Sequence, residues 1–161
     1  MTKNNAVRLV HVKPPFLGND AETVVVGLDR YGFDGQEEEI WVEVGGSNGV
    51  QVSSIPFRIY GLSLFDVIML NRNSETIEVL ERSGRGVFRV LVDQSVGIEE
   101  RVEAASRLSE FFIGMELAHE WNGKGFVAVD IPSSKEALEV EGSIRQWKYV
   151  FWEWGAVCNV Q

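Results

Sequence analysis

Cysteine and histidine are scarce in this sequence, which has one cysteine, Cys158, and two histidines, His11 and His119. A single cysteine excludes an intramolecular disulfide and a metal site built from several cysteines. The histidines lack metal-binding spacing, because no second histidine follows His119-Glu120 to complete an H-E-x-x-H motif. We therefore expect neither a metal nor another cofactor.

The sequence also has few basic residues and no long apolar runs. The chain has 15 lysines and arginines against 24 aspartates and glutamates, a net charge of −9. Proteins that bind nucleic acids usually carry the opposite sign. No apolar run approaches the ~18 residues of a membrane-spanning helix, and Arg8, His11 and Lys13 interrupt the N-terminal segment where a signal peptide needs an apolar core. We expect a cytoplasmic protein that binds neither nucleic acid nor a membrane.

Motifs of enzymatic catalysis are missing as well. No serine lies in a G-x-S-x-G turn, and Cys158 follows a hydrophobic stretch that favours a packed, unreactive thiol. Asp66 and Asp130 adjoin predicted strands, where carboxylates usually serve turns or caps. The sequence thus favours a non-enzymatic protein with no catalytic residues.

The first half of the chain has the pattern of β-structure. Short apolar or alternating runs occur at residues 24–28, 40–44, 50–52, 67–70 and 77–80, separated by turns rich in glycine and asparagine. Such runs are typical of strands in a small barrel or sandwich. We predict a β-rich, barrel-like subdomain over residues 1–86.

The second half alternates strands and helices. Strands are predicted at residues 87–92, 115–121, 126–131 and 149–157, with a two-residue hairpin turn at Asn122-Gly123. Two sets of apolar residues at helical spacing predict helices between these strands; the first set is Ile98, Val102, Ala105, Leu108 and Phe112, and the second is Ala137, Val140, Ile144 and Trp147. The order β-α-β-β-α-β is that of a ferredoxin-like unit. The predicted fold is therefore α+β, with the barrel-like subdomain packed against a ferredoxin-like subdomain over residues 87–161.

A family resemblance accompanies these patterns. Its motifs include Ile55-Pro56-Phe57, Tyr60-Gly61-Leu62 with Asp66-Val67, and Ala128-Val129-Asp130-Ile131-Pro132. Together they resemble a bacterial family known as domain of unknown function number 4265, from about residue 40 to residue 150. The resemblance implies no activity. Its shared residues fit structural roles, because Gly61 suits a turn with positive φ and Asp66 suits hydrogen bonds to backbone donors.

The surplus of acidic residues is the feature with the clearest functional meaning. Residues 93–161 carry 6 bases and 12 acids, whereas residues 1–92 carry 9 bases and 12 acids. A solvated surface that aids solubility is one use of such charge. A docking face for a basic protein is the other, because complementary charge speeds encounter and orients the partner. The predicted partner-binding residues are Glu37, Glu38, Glu39, Glu99, Glu100, Glu103, Glu110, Glu116, Glu120 and Trp121.

Two functional hypotheses follow from these residues. The first is a bacterial immunity protein that neutralises a basic, nuclease-type toxin domain by masking its active site. The second is a regulatory domain that senses a small anion or nucleotide. For the second, the predicted ligand-binding residues are Arg82, Arg85 and Arg89, the first two of which flank glycines whose backbone N–H groups suit an anion.

Overall fold

Residues 6–14, 17–45 and 48–158 are described by a computed structural model of the protein. The chain divides into two units, Met1–Ser83 and Gly84–Gln161. The predicted boundary followed residue 86, but Arg85 belongs to the second unit, where its side chain donates a hydrogen bond to Asp130. Within the described ranges, neither helix has the length and apolar character needed to cross a membrane.

The first unit contains a six-stranded sheet. Its strands are β1 (Val7–Val10), β2 (Glu22–Gly27), β3 (Gln36–Gly45), β4 (Gly49–Val52), β5 (Val67–Asn71) and β6 (Thr76–Glu81). They follow the order β1-β3-β4-β5-β6, and β2 pairs with β3. The alternating apolar residues of β2 and β3 point to one core, which includes Val24, Val26, Ile40 and Val42. The long strand β3 thus organises the unit, because it pairs with three neighbours.

This sheet does not close into a barrel among the described strands, so the barrel prediction is wrong in that respect. β2 comes close to the turn before β6, where the amide of Gly27 donates to the carbonyl of Glu75 at 2.9 Å. β2 and β6 nevertheless form no ladder. Local patterns predict which face of a strand is buried, but the pairing of edge strands depends on distant segments. β1, which pairs in parallel with β3, is such a segment and was not predicted.

The turn before β5 confirms the structural roles that the family resemblance implied for Gly61 and Asp66. Gly61 has a φ of +74°, a conformation that glycine adopts without strain. The buried Asp66 carboxylate accepts hydrogen bonds from the amides of Ser63 at 3.0 Å and Ser83 at 2.7 Å. The side chain therefore holds two loop segments of the first unit together.

The second unit contains a four-stranded antiparallel sheet and two helices. Its elements are β7 (Gly86–Val92), α1 (Ile98–Gly114), β8 (His119–Asn122), β9 (Phe126–Ile131), α2 (Ser134–Ile144) and β10 (Val150–Ala156). The order across the sheet is β10-β7-β9-β8. The predicted succession of strands and helices is therefore confirmed, and the protein as described is a mixed α+β structure with two sheets.

One core joins both helices to one face of this sheet. Leu108 and Phe112 of α1 and Val140 and Ile144 of α2 are fully buried in it. The strands contribute alternate residues, such as Phe88, Val90 and Val92 of β7 and Trp152 and Trp154 of β10. The apolar face predicted for α2 is confirmed at Ala137, Val140 and Ile144. Trp147 packs against the same core, but it lies three residues beyond the end of the helix.

The apolar face predicted for α1 is only half right. Leu108 and Phe112 are buried, but Ile98 and Val102 are 61% and 58% exposed. Ala104 takes the buried position one turn before Leu108. Periodicity alone did not separate the two neighbouring stripes of this helix, because both carry apolar residues.

Two details around β8 also differ from the prediction. The strand begins at His119, not at residue 115, because Glu116 has a φ of +56° and interrupts extended backbone. The hairpin turn has three residues, Gly123 to Gly125, since Asn122 pairs with Phe126. Gly123 adopts positive φ, whereas Asn122 remains in the strand.

Candidate functional site

Helix α1 presents a row of exposed carboxylates. Glu99, Glu103 and Glu110 lie on the same side of the helix, because intervals of four and seven residues return to nearly the same direction. No opposite charge forms an ion pair with any of these three within the described part of the chain. The row is therefore a negative ridge that faces solvent. We call Glu99, Glu100, Glu103 and Glu110 together the α1 ridge.

A groove of about 690 Å³ runs along one side of the ridge, between α1 and the β8–β9 hairpin. Apolar groups in it include the exposed Ile98 and Val102 and the half-buried indole of Trp121. Arg101 and Lys124 add positive charge, and Glu110 adds a carboxylate. The remaining lining residues are Gln94, Ala105, Ser106, Ser109 and Gly123. We call this site the hairpin groove.

A smaller cavity of about 310 Å³ lies on the other side of the ridge. Glu100 and Glu103 line it together with Trp147 and Tyr149. The guanidinium of Arg107 stacks over the Trp147 ring, 4.4 Å from its centroid. The ridge thus has an aromatic side chain in a cavity on each flank, which is a common composition for a protein-binding surface.

The predicted partner-binding residues divide into those on this face and those elsewhere. Glu99, Glu100, Glu103, Glu110 and Trp121 come together around α1. Glu116 is exposed just after the end of the helix. Glu120 alternates with His119 and Trp121, which contact the helix-side core, so it points to the opposite face of the sheet.

The acidic run at the start of β3 makes its contacts within the first unit. Glu38, which the sequence predicts to bind a partner, is fully buried and is not part of the exposed surface. Glu37 and Glu39 form ion pairs with Arg8 of the neighbouring strand, at 2.8 Å and 3.5 Å. This pairing neutralises part of the charge that the sequence pattern indicated for a docking face.

The three arginines of the anion hypothesis each have a carboxylate partner in their own unit. Arg82 lies 3.8 Å from Asp66, and Arg89 lies 3.3 Å from Glu153. Arg85 binds both oxygens of Asp130. These hydrogen bonds raise the pKa of the Arg85 guanidinium above its ordinary value, although burial acts in the opposite direction. Each of the three arginines therefore faces a carboxylate that offsets part of its positive charge, and Arg82, at 54% exposure, is the most accessible of them.

The remaining nucleophile and metal-ligand candidates are placed apart from this face. Cys158 is buried, and its Sγ lies 3.4 Å from the carbonyl oxygen of Ile131. Burial raises the pKa of this thiol. In the ranges 6–14, 17–45 and 48–158, no three His, Cys, Asp or Glu side chains are grouped as metal ligands.

We expect the Cys158 thiol of the folded protein to react with a water-soluble thiol reagent about a hundredfold more slowly than in the denatured chain. The measurement is the rate of labelling at pH 8, with and without denaturant. A Cys158→Ser/Leu138→Cys variant is the control, because residue 138 is 78% exposed. Equal labelling rates for the two folded proteins would contradict the burial of Cys158.

Sequence reasoning missed the residues that turn the acidic ridge into a shaped surface. The spacing of apolar residues predicts core positions for Ile98 and Val102 and predicts no role for Arg101. The sequence contains a signal for the position of Arg101, because Arg101, Ala104, Leu108 and Phe112 are spaced by three and four residues. This spacing places an arginine in line with the buried stripe of the helix.

Comparison with known proteins supports the fold and brings no activity with it. The model of a protein family described as "Domain of unknown function (DUF4265)" matches residues 38–150. The resemblance predicted from the sequence motifs is thereby confirmed. No curated protein matches the chain.

A solved structure has a similar fold. The crystal structure of a hypothetical protein from Neisseria gonorrhoeae matches with a TM-score of 0.63 and 15% sequence identity. The match covers 89% of this chain and 99% of the other. At this level of identity the similarity concerns the fold alone, and function has to be argued from the site.

Proposed function

Because the chain belongs to the DUF4265 family of unknown function, we propose from its surface chemistry that it is a non-enzymatic binding protein for a basic protein partner. The partner we propose is a nuclease-type toxin domain, which this protein neutralises as a bacterial immunity protein by masking the active site. A nuclease needs positive charge to hold its polyanionic substrate. A negative protein surface of matching extent competes with the nucleic acid for the positive groups of the nuclease, and it does so without catalysing a reaction.

The observation that carries the proposal is the α1 ridge with its two flanking cavities. Four carboxylates supply long-range attraction, and Trp121 and Trp147 supply aromatic groups of the kind that dominate binding energy at protein interfaces. Ile98 and Val102 add exposed apolar surface beside Trp121. The carboxylates that attract a basic partner and the aromatic side chains that can contact it therefore lie on one face. If the carboxylates served only to keep the protein soluble, they would not need aromatic and apolar groups beside them.

The proposed face is smaller than the set of residues predicted from sequence. It consists of the α1 ridge, the hairpin groove and the cavity at Trp147. Glu37 and Glu39 are left out because Arg8 compensates them, and Glu38 because it is buried. Glu120 is left out because it lies on the other side of its strand.

The second unit is the part of the protein that carries this face, and we infer that it is ferredoxin-like. Its order of elements and its sheet order β10-β7-β9-β8 support this assignment. The arrangement leaves one side of each helix in solvent, which is why α1 has carboxylates to present.

The test uses a basic toxin domain encoded by an adjacent reading frame, purified in a catalytically inactive form. We expect Glu99→Gln/Glu103→Gln/Glu110→Gln to reduce the association rate constant about tenfold at low ionic strength and to flatten its dependence on salt. The physical reason is that three unpaired charges leave the approaching surface. Stopped-flow or surface-plasmon measurements from low to high salt give both quantities.

A matched triple variant tests whether the position of the three carboxylates matters, or only the net charge of the protein. Glu78→Gln/Glu81→Gln/Glu139→Gln removes the same charge from exposed positions outside α1, and we expect it to change the association rate constant less than about threefold. Equal effects of the two variants would refute the proposed face. Association that is insensitive to salt in the native protein, or an adjacent reading frame that encodes no basic domain, would count against the immunity role itself.

A further inference from the structure

Arg101 occupies a core-facing position of α1. It precedes Ala104, Leu108 and Phe112 at intervals of three, seven and eleven residues, so it continues their buried stripe toward the start of the helix. A charged group at such a position normally has a charged or hydrogen-bonding partner, because an uncompensated charge is costly to shield from water.

The described residues provide very little compensation for Arg101. A guanidinium has five N–H donors, and here one of them, at Nη1, has an acceptor, Oε1 of Gln94 at 3.4 Å. Nε is shielded from solvent and has no hydrogen-bond partner within the described ranges. No carboxylate in those ranges forms an ion pair with this side chain.

The hairpin groove surrounds this arginine with features of a ligand site. Lys124, in the hairpin turn, lines the same groove and also has no ion-pair partner among the residues described. Ile98, Val102 and Trp121 form apolar surface next to the two cations. The volume of about 690 Å³ lies within the usual range for small-molecule sites.

We propose that the hairpin groove binds a small organic carboxylate that has an apolar body. Its carboxylate pairs with Arg101 and Lys124, and its apolar part contacts Trp121, Ile98 and Val102. Glu110 lies nine residues beyond Arg101, about 14 Å further along the helix axis, so it does not face the bound carboxylate. The hairpin groove is also part of the proposed docking face, but binding of the small carboxylate needs no protein partner and is measured without one.

The net charge of the protein restricts which anions bind there. At −9 the chain repels anions in general. A small inorganic anion gains only the contacts of the two cations, whereas a carboxylate with an apolar body also removes apolar surface from water. We therefore expect 4-phenylbutyrate to bind, and sulfate and acetate to bind at least about tenfold more weakly.

The experiment is a titration of the isotope-labelled full chain, followed by its backbone amide and tryptophan indole NMR signals. The probes are 4-phenylbutyrate, its neutral amide, acetate and sulfate. With 4-phenylbutyrate we expect saturable shifts confined to the Arg101 region, the Trp121 indole and the turn at Gly123. The amide is expected to bind about tenfold more weakly, because it lacks the charge that pairs with Arg101.

Substitutions assign the binding to individual side chains. Arg101→Gln is expected to weaken the binding of 4-phenylbutyrate at least about tenfold, and Lys124→Gln about threefold. Val102→Asp places a carboxylate at an exposed position of the groove and is expected to abolish binding. Arg107→Gln on the same helix is the matched control, because Arg107 lines the other cavity; it should leave the affinity unchanged within about twofold.

The test of the proposal does not depend on whether the Arg101→Gln variant folds. Removing a shielded and poorly compensated cation is expected to leave the melting temperature unchanged or to raise it. If that variant does not fold, Lys124→Gln and Val102→Asp carry the test, since both positions are exposed. The proposal is overturned by an absence of saturable shifts, by equal binding of the amide, or by variants that bind as the native protein does. None of these results bears on association with a toxin domain.

Discussion

Replacing Glu38 with alanine is expected to lower the free energy of unfolding by about 3–5 kcal/mol. The carboxylate is fully buried and contacts Nε2 of His11 at 2.8 Å. It also accepts hydrogen bonds from the backbone amides of Phe57 at 2.6 Å and Arg58 at 2.8 Å. Alanine leaves these groups without their acceptor and opens a cavity among them. Urea denaturation, followed by circular dichroism and tryptophan fluorescence, measures the loss.

Neighbouring residue Glu39 provides the matched control for Glu38. Its side chain is 22% exposed and forms one long ion pair, at 3.5 Å, with Arg8. Glu39→Ala is therefore expected to cost less than about 1 kcal/mol. Glu38→Gln should fall between the two, because the amide keeps one acceptor oxygen. A cost for Glu38→Ala within about 1 kcal/mol of the control would contradict the structural role of this carboxylate.

Asp130→Ala is the second substitution with a large expected effect, a loss of about 2–4 kcal/mol. Asp130 is buried on β9, and its carboxylate binds Arg85 through both oxygens, with Nε to Oδ1 at 2.8 Å. Arg85 precedes β7, so the pair joins the start of one strand to the end of its neighbour. Without Asp130 the guanidinium, which is only 25% exposed, loses the carboxylate that binds it through both oxygens.

A double-mutant cycle with Arg85→Ala measures this interaction directly. Each single variant removes one member of the hydrogen-bonded ion pair and leaves the other member in place, whereas the double variant removes both. We expect the double variant to be less destabilised than the sum of the singles by about 1–3 kcal/mol. The exposed pair Glu141–Arg145, with an N–O distance of 2.7 Å, is the control and should show a coupling below about 0.5 kcal/mol. Additive effects at Arg85 and Asp130 would contradict the pairing, and would make Arg85 available again as an anion ligand.

The contacts of the charged residues in the folded protein determine which of them are candidates for binding a partner. The sequence drew attention to the glutamates before β3 and to the arginines near residue 85, since both are dense local clusters. In the folded protein these clusters are largely used internally, by Arg8 and His11 in one case and by Asp66 and Asp130 in the other. The charges that we propose for binding, Glu99, Glu103, Arg101 and Lys124, have no ion-pair partner among the described residues and lie on or beside α1.

Local periodicity was sufficient for several features of the fold. The strands at Ile40–Val44 and Val87–Val92 and the buried face of α2 follow from the spacing of apolar residues, because neighbouring side chains along a strand or helix point in fixed relative directions. The turn roles of Gly61 and Asp66 likewise depend on a few adjacent residues. The family was recognised from the same kind of local motif.

The sequence by itself therefore determined the order of the strands and helices from β2 onward, the buried faces of most strands and the family to which the chain belongs. Only the tertiary structure decided that Glu38 is internal, that Ile98 and Val102 face outward and that Arg101 continues the buried stripe of α1. It also decided that the first sheet remains open among the described strands. The physical reason is that a periodic pattern specifies which residues share a side of an element. Which side is covered depends on segments that are distant in the sequence.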